Sequence, residues 1–222
     1  MDVRGVLFDL DGTLVDTIAD IGDAMNRVLS AFGFPTHPIS RYYGMVGWGV
    51  RELVRRALPE QARTRENLQR CHPAMVREYT EKPVVRSLVY PQVPELLHGL
   101  GRMGIRTAVL SNKVDSITQI VVSELLGDHD FVVVQGARED RPRKPDPTAA
   151  LEIAHEMGAS PDTILYLGDS DVDMETALRA GMIPVGALWG FRDEAELREA
   201  GAVSVVHDPL HVLSVVRSLT GD

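Results

Sequence analysis

The run Val6–Asp16, Val-Leu-Phe-Asp-Leu-Asp-Gly-Thr-Leu-Val-Asp, constrains this chain more than any other segment. A short apolar stretch suited to a buried strand ends in two aspartates separated by one residue. Ionised carboxylates are costly to bury unless a cation or strong hydrogen bonds compensate them. Side chains two apart on a strand share a face, so Asp9 and Asp11 can address one reacting group. Gly12 lets the chain turn sharply and approach a ligand closely. A metal ion and an anionic substrate are the expected partners of such a strand end. The competing reading is a plain Asp-x-Asp-Gly surface turn.

The rest of the chain predicts the sheet to which that strand belongs. Helix-like and strand-like segments alternate from Pro91 onward, with strands expected at Ile105–Leu110, Phe131–Val134, Thr163–Leu167, Ile183–Ala187 and Val203–Val206. Strands separated by helices imply right-handed crossovers and a largely parallel sheet covered on both faces. Between the first strand and Lys82 the pattern is helical instead. Ile18, Ile21, Met25, Val28 and Leu29 recur at helical spacing, as do Val50, Leu53, Val54 and Ala57–Leu58. The expected architecture is therefore α/β: a Rossmann-like parallel sheet flanked by helices over residues 1–16 and 83–222. An α-helical cap is expected over residues 17–82. Ligands of such sheets bind at the carboxyl ends of the strands.

Three further strand ends carry polar clusters. Ser111-Asn112-Lys113 offers a hydroxyl and an amide to phosphate oxygens, or alternatively helix caps. In Lys144-Pro145-Asp146-Pro147, Pro145 holds Lys144 off a helix, while Asp146 is expected as the N-cap and Pro147 as the first helical residue. The last is Gly168-Asp169-Ser170-Asp171-Val172-Asp173. Asp169 stands nearest the strand tip as a ligand for a hard cation, and Asp173 lies one turn on. A calcium-binding EF-hand is rejected, because its glycine and acidic positions hold Met174 and Ala180.

Composition excludes several classes. The 222 residues carry a formal net charge of −9, which argues against broad nucleic-acid binding. No apolar run approaches the roughly 18 residues of a membrane helix. The N-terminus shows no signal-peptide pattern. A single cysteine, Cys71, rules out an intrachain disulfide framework and makes the cytoplasm the expected compartment.

Taken in order, the four motifs resemble those of the haloacid dehalogenase superfamily, and most closely its phosphoglycolate-phosphatase-like branch. The resemblance covers essentially the whole chain, including Trp189-Gly190-Phe191-Arg192; it departs at Gln92, where relatives usually have glycine. It implies a phosphomonoesterase with Asp9 as nucleophile and Asp11 as acid and base. Mg2+ would be held by Asp9, the backbone carbonyl of Asp11, and Asp169, with Asp173 and Ser170 behind them. Ser111, Asn112 and Lys144 would bind phosphate. Lys113 is expected to serve the same group or to begin an exposed helix. Substrate choice falls to the cap, with Trp48 and Arg51 as candidate contacts.

The expected partner is a small phosphorylated metabolite, 2-phosphoglycolate foremost, and the chain is expected to be a monomer or homodimer. Asp11 argues against dehalogenation, since dehalogenases lack the second aspartate. The absence of lysine between Thr17 and Glu81 argues against a Schiff-base phosphonate hydrolase. A sugar-phosphate phosphatase, a β-phosphoglucomutase-like transferase and a pyrophosphatase remain as alternatives, as does a non-catalytic binding module.

Overall fold

The computed structural model describes residues 2–220. β1 (Gly5–Phe8) is followed by a two-residue strand, β2 (Val15–Asp16), and then by three helices: α1 (Ile18–Ala31), α2 (Val50–Ala57) and α3 (Arg65–Glu81). The chain returns through β3 (Leu88–Val89), which pairs antiparallel with β2. Alternation then sets in: α4 (Val93–Arg102), β4 (Arg106–Val114), α5 (Asp115–Leu126), β5 (Val134–Ala137), α6 (Thr148–Glu156), β6 (Ile164–Gly168) and α7 (Asp171–Ala180). It closes with β7 (Ile183–Ala187), α8 (Glu194–Glu199), β8 (Ser204–Val206) and α9 (His211–Thr220).

Six strands form one parallel sheet in the order β5-β4-β1-β6-β7-β8. β1 lies inside it and is buried on both faces. Val6 and Phe8 join the core that includes Leu96, Ile117, Val121 and Val216 from α4, α5 and α9. Leu7 turns to the opposite face, against Ile153 and Ala154 of α6 and Ala177 of α7. This accounts for a continuous apolar run in place of alternation. Each such fully buried side chain contributes about 1.5–3 kcal/mol. Strand order reverses about β1, so its carboxyl end opens into the crevice where sheets of this kind bind ligands.

The helices between β2 and β3 pack as the periodicity predicts. α1 buries Ile18, Ile21, Met25, Val28 and Leu29, and α2 buries Val50, Leu53, Val54 and Ala57. α3 adds Cys71, Met75 and Tyr79. Three expectations fail locally. β5 begins at Val134, where the apolar run Phe131–Val134 was expected to end, because the edge of the sheet demands only half-buried side chains. β4 continues through Ser111-Asn112-Lys113, so these residues cap no helix; Val114 holds that place before α5. α6 starts at Thr148 after Pro147, and Asp146 instead accepts the Thr148 N–H in a local turn.

Asp20 fastens the returning chain to α1. Its carboxylate accepts the backbone N–H groups of Val85, Arg86 and Ser87 at 2.8–3.0 Å, and the Ser87 hydroxyl at 2.6 Å. Burial pushes this carboxyl up, but the Ser87, Val85 and Arg86 hydrogen bonds outweigh it and hold Asp20 below its ordinary value. A depressed carboxyl contributes stability that is present above its unfolded value and lost as pH falls through the folded one. Asp20→Asn should therefore destabilise the protein at pH 7 and flatten the acid limb of its stability–pH curve, read by urea unfolding from pH 7 to 3. Gln92, before α4, is the only non-glycine at positive φ among the described residues, at 68°. Glycine adopts that backbone without the Cβ penalty of about 1–2 kcal/mol. Gln92→Gly should raise the unfolding free energy by about 1 kcal/mol in the same assay.

Candidate active site

Asp9 and Asp11 follow β1 at its carboxyl end, and the backbone turns at Gly12 with φ 89°. A side chain cannot be placed there: a Cβ on Gly12 would fall 2.3 Å from Asp169 Oδ2. Glycine thus lets two acidic strand ends, β1 and β6, approach one another. Asp169 is held by the Thr13 hydroxyl at 3.1 Å and by the Phe191 N–H at 2.8 Å.

Behind these carboxylates stands one buried ammonium. Lys144 Nζ lies 2.6 Å from Asp173 Oδ1 and 2.9 Å from Asp9 Oδ1, and donates to the Leu110 carbonyl at 3.0 Å. Burial disfavours its charge, yet Asp173 and Asp9 hold it well above its ordinary value. Asp9 is pushed the other way, to about 7, by burial and by Asp173, against the pull of Lys144. Burial, then Asp9 and Asp173, raise Asp169 as well. Asp173 is oriented from its far side by Ser170, whose hydroxyl donates to Oδ2 at 2.5 Å while capping α7.

Asp11 has a second, separate ammonium. Lys113 is buried, correcting the expectation that it might begin an exposed helix. β4 carries it inward, where Nζ lies 2.8 Å from Asp11 Oδ1 and donates to Tyr79 Oη at 2.8 Å. Thr17 donates to the same Asp11 oxygen at 2.6 Å. Ser111 Oγ accepts the Lys113 N–H. The Asn112 side-chain amide donates to the Gly47 and Lys144 carbonyls, both at 3.0 Å, tying the helical insertion to the core.

Asp9, Asp11, Ser111, Asn112, Lys113, Asp169 and Ser170 border one partly open cavity of about 40 Å³. That is room for roughly three waters. Ile21, Val46, Val50, Leu53, Met75 and Tyr79 roof it from the insertion. Arg51 and Trp48 do not line it. They border a groove outside, with Arg143. The reason is helical phase: Val50 and Leu53 face inward, and Arg51, one residue on from Val50, is turned to solvent.

Sequence reasoning gave no role to Tyr79, Phe191 or Arg192. Arg192 donates to the Tyr43 and Val46 carbonyls at 2.5 and 2.9 Å, joining the loop after β7 to the insertion. The available signal was position: a Trp-Gly-Phe-Arg turn after a parallel strand lies at the end of the sheet where ligands bind.

Asp9, Asp169 and Asp173 offer oxygens all within 4.8 Å of one another. Of these three, Asp9 and Asp173 pair with Lys144, whereas Asp169 pairs with no ammonium among the described residues. An all-oxygen, net-negative, buried set suits a hard divalent cation. Asp9 and Asp169 border the cavity, whereas Asp173 stands behind it.

The profile of the haloacid dehalogenase-like hydrolases matches residues 3–181. The chain belongs to this family. It is 32% identical to a phosphoglycolate phosphatase of Aquifex aeolicus over 85% of this chain and 86% of that one. It is 30% identical to the phosphoglycolate phosphatase of Pseudomonas putida over 95% of this chain and 78% of that one. A solved structure from Lactobacillus delbrueckii subsp. bulgaricus superimposes with a TM-score of 0.91 at 26% identity, covering 97% of this chain and 99% of that one. A hydrolase of Pseudomonas syringae gives 0.78 at 28% identity, covering 97% and 99%. No helix among the described residues is long and apolar enough to cross a membrane.

In this member of the family the Lys144 ammonium is the counterion of two buried carboxylates. Breaking a buried pair by removing one partner costs about 3–5 kcal/mol. Lys144→Met should lose about that much stability at pH 7, and lowering the pH towards 5 should recover part of it as the crowded acids take up protons. Urea unfolding at the two pH values measures both effects.

Proposed function

We propose that the protein is a magnesium-dependent phosphomonoesterase that hydrolyses 2-phosphoglycolate through an aspartyl-phosphate. The observation that carries this reading is the convergence of Asp9, Asp11 and Asp169 on one small cavity, with Lys144 behind them. Asp9 attacks phosphorus in line, and the phosphorus–oxygen bond to the leaving group breaks as the acyl phosphate forms. Asp11 gives a proton to the departing oxygen, then takes one from the water that cleaves the intermediate. Lys144, with the Ser111 hydroxyl and the Asn112 backbone, stabilises charge on the transferring oxygens. Asp9, Asp169 and the carbonyl of Asp11 would hold the magnesium, which supplies further charge neutralisation at the phosphoryl group. Asp173 and Ser170 keep Lys144 and the acidic set in register.

The helices of residues 17–82 act in this reading as a cap. Ile21, Val50, Leu53 and Met75 roof the cavity from these helices, so their movement would widen access to Asp9 and Asp11. The polar ties from insertion to core at this end include Asn112 to Gly47, Arg192 to Tyr43 and Val46, Lys113 to Tyr79, and Thr17 to Asp11. Closing them over a bound substrate excludes water from the acyl phosphate until hydrolysis is due. The compact, largely apolar roof favours a small leaving group over a hexose, whose hydroxyls would lack partners there. The names of the relatives point to the same substrate.

The test is phosphate release from a panel of 2-phosphoglycolate, hexose phosphates and pyrophosphate. Release should be fastest from 2-phosphoglycolate and should stop when EDTA removes magnesium. Asp9→Asn should abolish turnover while retaining the fold, because the neutral amide relieves the crowding that pushes Asp9 to about 7. Undiminished turnover by a folded Asp9→Asn protein would remove Asp9 as nucleophile.

A further inference from the structure

The two oxygens of Asp11 have different surroundings. Oδ1 receives the Thr17 hydroxyl at 2.6 Å and faces Lys113 Nζ at 2.8 Å. Oδ2 receives no hydrogen bond from the described residues, and Asp11 borders the cavity. One oxygen is thus pinned, and the other is left for chemistry. The pinning ammonium comes from the core strand β4, but it is completed from the insertion. Tyr79, on the last turns of α3, accepts from Lys113 Nζ at 2.8 Å and lays its ring 4.4 Å from the same nitrogen. Burial, and Asp11 after the opposing pull of Lys113, keep the Tyr79 phenol neutral, pushed up to about 12. Both Tyr79 and Lys113 are almost wholly buried, so neither contact is a surface pair weakened by solvent.

We infer that Lys113 and Tyr79 form a positioning relay that aims Asp11 Oδ2 at the leaving-group oxygen only while the insertion is docked on the core. The inference rests on the reading of Asp11 as the group that protonates the leaving oxygen. A protonated Asp11 fits the same contacts: with the proton on Oδ2, Oδ1 still accepts from Thr17 and Lys113. When the insertion lifts, Tyr79 leaves with α3. Lys113 then loses one of its two buried partners, and the Asp11 side chain is no longer held from that side. Docking of the insertion and alignment of the acid are thereby one event. The step served is the first: the Asp9 oxygen–phosphorus bond forms, the phosphorus–oxygen ester bond breaks, and the Oδ2 proton passes to the departing alkoxide.

A structural ion pair and a positioning relay predict different substrate dependence. An alkyl phosphate such as 2-phosphoglycolate leaves as an alkoxide and needs the proton. Acetyl phosphate, equally compact, leaves as acetate and does not. The value of kcat/KM reports the steps up to release of the leaving group, so it isolates proton donation from the later hydrolysis of the acyl enzyme. Tyr79→Phe and Lys113→Met should each lower kcat/KM for 2-phosphoglycolate (or for the alkyl phosphate the wild type hydrolyses best) by about 10-fold or more. The value for acetyl phosphate should stay within about 2-fold, and thermal melting should confirm that the variants are folded. Tyr79→Phe retains the ring and the packing of α3, so it remains informative if Lys113→Met fails to fold.

Equal losses on both substrates, or none on either, would overturn the relay. Asp11→Asn in the same assay separates the two levels. If Asp11→Asn selectively loses the alkyl phosphate and the relay variants do not, the relay is wrong and the acid assignment stands. If Asp11→Asn shows no selectivity, the acid assignment fails and the relay with it.

Discussion

The ammonium of Lys144, enclosed by Asp9 and Asp173, is the interaction on which the rest of this site depends. Three carboxylates brought together by β1, β6 and α7 repel one another in a region that water barely reaches. Lys144 reaches this place from the loop before α6, a segment that crosses from one side of the sheet to the other. Its partners tie it to three elements: the Leu110 carbonyl of β4, Asp9 after β1, and Asp173 of α7. The neutralisation is incomplete, since Lys144 pairs with Asp9 and Asp173 while Asp169 is held only by the Thr13 hydroxyl and the Phe191 N–H. The remaining negative charge suits the site to a hard divalent cation.

A division of labour follows from the two lysines. Lys144 pairs with Asp9 and Asp173, while Lys113 pairs with Asp11. Each aspartate of the Asp-x-Asp pair therefore has its own ammonium, one from the loop before α6 and the other from β4. The insertion contributes to one and not the other: Tyr79 touches Lys113, whereas Lys144 is held entirely by core elements. The surroundings of Asp9 are thus built from the core, and those of Asp11 are shared between the sheet and the helices above it.

The sheet was legible in the sequence because its signal is dense. Strands buried on both faces read as apolar runs, and the helices between them obey the 3.6-residue period, so β1, β4, β6 and β7 stand close to where the pattern predicts. Edge positions were legible only coarsely. β5 begins at the residue where its apolar run was expected to end, since an edge strand is selected for pairing more than for burial. The polar residues beyond β4 look alike as a helix start and as a strand end, and only the ladder to β5, bulged between Leu110 and Val114, decides for the strand.

At the site, the residues that carry charge could be named from the chain alone, because carboxylates placed directly after apolar strands are costly to bury unless a cation meets them. Asp9, Asp11, Asp169, Asp173 and Lys144 all converge as their positions imply. What the sequence by itself determined was this inventory of groups, and the end of the sheet on which they meet. Only the tertiary structure decided which group faces which. Arg51 lies outside the cavity because one residue of helical phase separates it from Val50. Lys113 lies inside because β4 continues past Leu110 and carries it inward. Tyr79, far from Asp11 along the chain, reaches its neighbourhood only through the packing of α3. Local pattern encodes burial and period, but contacts between segments far apart in sequence arise from how whole elements pack, and no single stretch of residues records them.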